Sequence, residues 1–471
     1  MSDNMYSKFL KLVILVFLLV NLAKAQNKTD FFVEKPFQVP SYLLNNAEKL
    51  AKNLAKDQDV LDEKEAEEMY KNSFYILKER VNTGELYFSN ELTDYLTKIV
   101  DDLLLNEGSL KGKIRVFLTR NPQANAFCLP DGTILVNVGL LNILENESQL
   151  AGILSHEITH YKKHHALNQR KKNKDLKDQK YSNTSSEGVL FKMLSYSREN
   201  EFESDAGAVN ILNGGKYNAA EYPNALKFLM EEQKDTLKGS LSDFFNTDVF
   251  TVDTAIVSKK NIKKELNKSV SRSKSLLKLG DVEYETHPDG EKRILAVKEI
   301  LTSIEYKEPA KLDNTEFANL KRKAEFETVE NAYLEGEYIT ALLLSLKLKE
   351  KNPTSETAEV MIVKNLFWLS RLKENGVMND FLGKVEVNKS ADMARLKLFF
   401  DKTKAPDLGK FLFTYTKKQL ERFPENESIA FYVAAAAELH LGKDAALVFY
   451  KKYNSKFPIG NYSVYIKNKI D

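Results

Sequence analysis

Between Glu147 and Lys162 the apolar residues Leu150, Ile153, Leu154, Ile158 and Tyr161 recur at three-to-four spacing, the pattern of a helix with one face turned to a core. The same stretch carries histidines: SHEITHYKKHH, residues 155–165, holds four of the six in the chain. Residues i and i+4 lie one turn apart on one helix face. A helix here therefore brings the His156 and His160 imidazoles to one point, with Glu157 one step round the cylinder. Whatever fold buries this helix must also supply partners for these polar groups. Asn146, with Gln149 three residues later, predicts a capping box at the helix start.

Residues 46–108 read as helices, and KIRVFLTRNP as a strand stopped by Asn-Pro. PDG is a turn and TILVNV a second strand. Residues 168–187 are polar and predict a mobile loop. A helix resumes in VLFKMLSYSRENEFESDAGAVNILN, residues 238–275 give no clear assignment, and THPDGEKRILAVKEIL leads into another helix. Beyond residue 308 the pattern becomes helical hairpins. Gly336, Tyr338, Ala341 and Pro353 have tetratricopeptide-like spacing, and Pro424 and Pro458 lie one 34-residue period apart. The expected fold is α+β and mostly helical: a region with a small sheet at 26–307, then an all-α tetratricopeptide-like repeat domain at 308–471.

The N-terminal KFLK, the apolar run LVILVFLLV and the following AKA describe a signal peptide, residues 1–25, cut after Ala25. No later run approaches the ~20 apolar residues of a membrane span, so the mature chain is expected to be periplasmic or secreted, without an integral span. The 69 basic and 67 acidic residues give no reason to expect a nucleic-acid partner. The single cysteine, Cys128, excludes an internal disulfide framework and reads as structural.

His156, Glu157 and His160 form the HExxH arrangement of zinc proteases. Catalytic zinc takes three protein ligands and leaves a fourth position for water. The metzincin pattern would need glycine where Lys163 stands and histidine where Ala166 stands, so it is rejected. A second helix offers carboxylates instead. SRENEFESD contains Glu199, Glu201, Glu203 and Asp205, with Glu201 and Asp205 four apart on one face. Taken alone, this segment also fits a solvated acidic helix face.

The order of motifs is more specific. HExxH followed by Ser197, Arg198, Glu201 and Asp205 in S-R-x-x-E-x-x-x-D resembles the zinc metalloprotease family of HtpX and the CAAX prenyl endopeptidases. NAFCLPDGTILVNVGLL, His165 and THPDGEKRI match further motifs of that family, so the resemblance covers about residues 90–300. The signal peptide and C-terminal repeats resemble its periplasmic protease-chaperone branch. The resemblance implies one Zn2+ per chain, held by His156, His160 and Glu201, with Asp205 behind them and Glu157 as general base. It places His287 near the centre, either as an oxyanion donor or as a further zinc ligand, with Arg293 as a second donor candidate. The implied function is a zinc-dependent endopeptidase cutting unfolded or misassembled envelope proteins. Polypeptides would be its substrates, and the repeats would recruit substrate or outer-membrane assembly partners. The alternative is a chaperone or assembly factor with a latent protease site. TILVNV is expected to be the sheet edge that receives substrate. His164, His165 and His440 are expected to be structural or surface residues.

Overall fold

The computed structural model describes residues 30–32, 39, 46–88, 90–174, 198–230, 237–267, 290–306, 308–385 and 390–470. Residues 1–25 and His287 lie outside them. The chain divides into two compact units. One contains the described residues of Phe32–Gln233 and Val282–Thr328, the other those of Met1–Phe31, Lys234–Asp281 and Val329–Asp471. Lys234–Asp281 thus joins the second unit, although it falls inside the 26–307 stretch.

The first unit is built on a small mixed sheet. Its helices are α1 (Ala47–Lys56), α2 (Glu63–Asn82), α3 (Glu91–Leu103), α4 (Val138–Ile143), α5 (Glu147–Lys162), α6 (His165–Lys174), α7 (Arg198–Leu212), α8 (Tyr222–Met230) and, beyond the second unit's inserted segment, α10 (Gly290–Ser303). The strands are β1 (Leu86–Tyr87), β2 (Arg115–Thr119), β3 (Ala126–Cys128) and β4 (Thr133–Asn137), in the order β1-β2-β4-β3. β2 and β4 pair in parallel, Arg115 opposite Thr133, and both outer pairs are antiparallel. Alternation along the strands separates two cores. Val116, Leu118, Ile134 and Val136 face the core shared with α3, α5, α7 and α8. Phe117, Phe127 and Leu135 face α1 and α2. Both faces are covered, so TILVN is buried throughout.

β4 is therefore an inner strand, paired on both sides, and not the expected edge. Among the described residues, β3 is the edge on that side of the sheet. The hairpin joining them turns at Gly132, whose φ is +81° and whose added Cβ would lie 2.3 Å from the Lys113 carbonyl oxygen. Only glycine serves there.

The start of α5 is capped differently from expectation. Asn146 Oδ1 accepts the Gln149 N–H at 3.0 Å, as predicted, but Gln149 Oε1 accepts the N–H of Glu145 at 2.7 Å instead of the cap residue's own. Residues 168–174 form part of a helix, α6, where a loop was expected. Buried Ala166 and Leu167 anchor it, and Arg170 pairs with Glu65 at 3.0 Å.

The second unit is helical among its described residues. The inserted segment contributes α9 (Leu241–Phe245). It is followed by α11 (Thr315–Leu334), within which the division between units falls, and by α12 (Tyr338–Lys351), α13 (Glu356–Glu374) and α14 (Met378–Lys384). Then come α15 (Ala391–Lys402), α16 (Ala405–Arg422), α17 (Glu427–Leu441), α18 (Lys443–Lys456) and α19 (Ser463–Ile470). The 34-residue period has a structural counterpart. Phe423 and Phe457, each before a proline, end α16 and α18 with nearly the same φ/ψ, −126°/66° and −127°/63°. Proline disfavours the helical region for the preceding residue.

The inserted segment is fastened inside this unit. Asp392 accepts the Leu237 N–H at 2.7 Å, and Glu350 accepts the Gly239 N–H at 2.7 Å. Phe245 is fully buried, with ring centroids 5.5 Å from Phe399 and 5.2 Å from Phe411. Phe250 lies 4.8 Å from Phe411. No helix among the described residues is long and apolar enough to cross a membrane.

Candidate metal centre

α5 and α7 approach closely because Gly207 faces Thr159. A Cβ at Gly207 would lie 2.3 Å from the threonine methyl. The contact sets the Glu201 side of α7 against the histidine face of α5. The Nε2 atoms of His156 and His160 are 2.9 Å apart, and the Glu201 carboxylate lies 3.6 Å from the first and 3.4 Å from the second. One donor atom from each residue falls within 4.8 Å of the others, and all three side chains are buried. Two imidazole nitrogens and a carboxylate suit a borderline-soft cation with one position left open. Glu157 is buried at 1% exposure, beside His156 on α5. Its charge reaches Cys128 on β3, whose thiol is raised well above its ordinary pKa by burial first and by Glu157 next. Cys128 thus stays a protonated, buried thiol, in keeping with its structural reading.

Behind the His156–His160–Glu201 cluster the side chains form a network. Arg293, from α10, donates to both Asp205 oxygens at 2.8 and 2.7 Å and lies 2.8 Å from Glu201 Oε2. Burial alone would raise the Asp205 carboxyl; Arg293 and His156 reverse that and hold it well below the usual carboxylate range. Asp205 Oδ1 lies 3.0 Å from His156 Nδ1. The Tyr222 hydroxyl donates to the same oxygen at 2.6 Å and lies 3.0 Å from His156 Nδ1. Burial keeps His156 below its ordinary pKa although Asp205 pulls the other way. An imidazole that stays neutral is the form that binds a metal.

With this geometry in view, comparison with known proteins gives residues 90–301 as a match to Peptidase family M48. The chain contains an M48 peptidase domain. Similar proteins include the beta-barrel assembly-enhancing protease of Yersinia pestis, 24% identical over 193 residues, 36% of this chain and 38% of that one. Its counterpart from Escherichia coli (strain K12) is 23% identical over 194 residues, with the same coverage. The mitochondrial metalloendopeptidase OMA1 of Arabidopsis thaliana is 31% identical over 137 residues, 27% of this chain and 28% of that one. The chain thus spans little more than a third of the length of the first two relatives.

The M48 domain brings together His156, His160, Glu201, Asp205 and Arg293 and keeps Glu157 beside them. Arg293, a donor candidate for the oxyanion in the sequence, has its guanidinium engaged by Asp205 and Glu201. Two contributors were not singled out for the site from the sequence. Tyr222 stands in EYPNAL, with no motif spacing to mark it. His165, expected to be structural or at the surface, is buried at 2% exposure with Nδ1 2.9 Å from His160 Nδ1. The one signal for it was its place in the matched family pattern. His164 holds a left-handed conformation, φ 53°, at the turn between α5 and α6.

Proposed function

We propose that the chain is a zinc-dependent endopeptidase of the cell envelope that hydrolyses peptide bonds of unfolded or misassembled envelope proteins. In this reading residues 1–25 are a cleaved signal, and the tetratricopeptide-like helices beyond residue 308 recruit substrate or an assembly partner. The observation that carries it is the buried His156–His160–Glu201 cluster, with Glu157 alongside and Asp205 and Arg293 behind. The M48 match and relatives named as proteases support the same reading.

One zinc ion held by His156, His160 and Glu201 would supply a Lewis acid that polarises water and the scissile carbonyl. The chain's own residues do the rest. Glu157, next to the ligands but not among them, takes the proton of the attacking water and hands it to the leaving amine. Asp205 and Tyr222 fix the His156 ring, and the Arg293 charge offsets two buried carboxylates. Arg293 is a positioning residue in this scheme, which leaves His287 as the candidate oxyanion donor. A substrate strand would pair along β3, because main-chain pairing holds a peptide without reading its sequence.

The test uses the full chain. Glu157→Gln should keep one equivalent of zinc and lose hydrolysis of an unfolded polypeptide, and chelation should silence the wild type. Turnover near the wild-type rate in Glu157→Gln would remove Glu157 as the base.

A further inference from the structure

The two ligand histidines are held in different ways. His156 leans on a carboxylate and a phenol, whereas His160 leans on another imidazole. The His160 and His165 rings meet edge to face, centroids 4.9 Å apart at 76°, with Nδ1 facing Nδ1 at 2.9 Å. On its far side, His165 Nε2 lies 3.1 Å from Glu203 Oε2, and Lys163 holds the same carboxylate at 2.7 Å. Ser204 Oγ lies 3.2 Å from His165 Nδ1. We infer that His165 is a positioning residue for the metal, fixing the ring and tautomer of His160 through a chain that runs from His160 through His165 to Glu203.

The geometry allows one assignment. His160 presents Nε2 to the ligand cluster, so its lone pair belongs there and its proton sits on Nδ1. Two facing Nδ1 atoms need one donor and one acceptor. His160 donates, so His165 accepts at Nδ1 and carries its own proton on Nε2, from which it donates to Glu203. The Ser204 hydroxyl is a second donor aimed at the same acceptor. The ring that orients His160 is therefore itself oriented at both ends. Histidine ligands usually lean on a carboxylate, a backbone carbonyl or water, and losing that partner typically weakens metal binding about 10–100-fold. Here the charge is one ring further out, on Glu203, whose side chain is 47% exposed. The Glu201 and Asp205 carboxylates beside the cluster both already face Arg293.

The inference rests on the metal reading proposed above, and zinc affinity separates the two. Zinc binding is measured on the full chain by competition with a chromophoric chelator. If the wild type binds no zinc, the metal reading fails and this inference with it. If it binds, His165→Ala should bind about 10–100-fold more weakly. His165→Asn, which keeps an acceptor close to the place of Nδ1, should recover most of the loss. Wild-type affinity in His165→Ala, or equal weakening in both variants, would overturn the role. Should the variants fold poorly, nitrogen-15 histidine spectra of the zinc-loaded wild type decide instead. They should show His165 protonated at Nε2 with Nδ1 accepting; a proton on His165 Nδ1 overturns the assignment.

Discussion

Arg293→Ala isolates the electrostatics of the site from its chemistry. The guanidinium is 4% exposed and faces two carboxylates that are 0 and 1% exposed. Its removal leaves Glu201 and Asp205 buried without their cation. Removing one partner from a buried ion pair costs about 3–5 kcal/mol, a large part of the roughly 5–15 kcal/mol that holds a domain together. At about 1.4 kcal/mol per factor of ten, that is on the order of a 10²–10⁴-fold loss of amide protection in the helices of this unit. The assay is hydrogen exchange with mass spectrometry in the presence of a chelator, reading peptides from α5 and α7. The only tryptophan, Trp368, lies in the helical unit, so its fluorescence serves as an internal control. Adding Asp205→Asn to Arg293→Ala removes one stranded charge and should return about 1 kcal/mol or more, a non-additive outcome typical of contacting charges. If α5 protection falls less than about tenfold, or if the two losses simply add, the paired-charge account is wrong.

Three further outcomes follow from the same geometry. Glu201→Ala should lower zinc content below one equivalent by metal analysis, and stoichiometric zinc would remove it as third ligand. Tyr222→Phe takes away a hydroxyl that meets both Asp205 and His156, and should cost about 1–3 kcal/mol in denaturant unfolding with the backbone fold kept by circular dichroism; no measurable loss would make that hydroxyl incidental. Phe245→Ala should destabilise the helical unit by about 3–5 kcal/mol, seen in Trp368 fluorescence, because the ring is fully buried among Phe399, Phe411 and Tyr415; an unshifted transition would show that the segment is not part of that core.

What the sequence made legible was local. The three-to-four stripe of α5, the i, i+4 pair of histidines and the Glu201–Asp205 face of α7 are periodicities within one element. β2 and β4 were readable because each has five consecutive residues of strand character. β1 and β3, of two and three residues, are too short to show any period. The position of β4 inside the sheet depends on β3 pairing with it, so its reading as an edge failed with that omission. α6 was missed because its polar surface outweighs the two apolar residues that anchor it. The roles of Tyr222 and Arg293 come from contacts 17 to 92 residues distant in the chain, and His165 meets His160 across the break between α5 and α6. No spacing rule within a helix reaches that far, and only the family motif gave notice of Arg293.

The inserted segment has a consequence for how the protein is made. Phe245 and Phe250 leave the ribosome before any of α15 or α16 exists, and Phe399 and Phe411 are the rings that cover them. At about 5–20 residues per second the wait for Phe399 is roughly 8–30 s. Through that interval a nascent chain carries two unsheltered phenylalanines in the span joining α8 to α10, the helices that bear Tyr222 and Arg293. A chain that stops short of α15 never buries Phe245 and lacks the rings that flank half-buried Phe250. Early termination therefore leaves Phe245 without its covering rings, an apolar feature that the finished chain does not present.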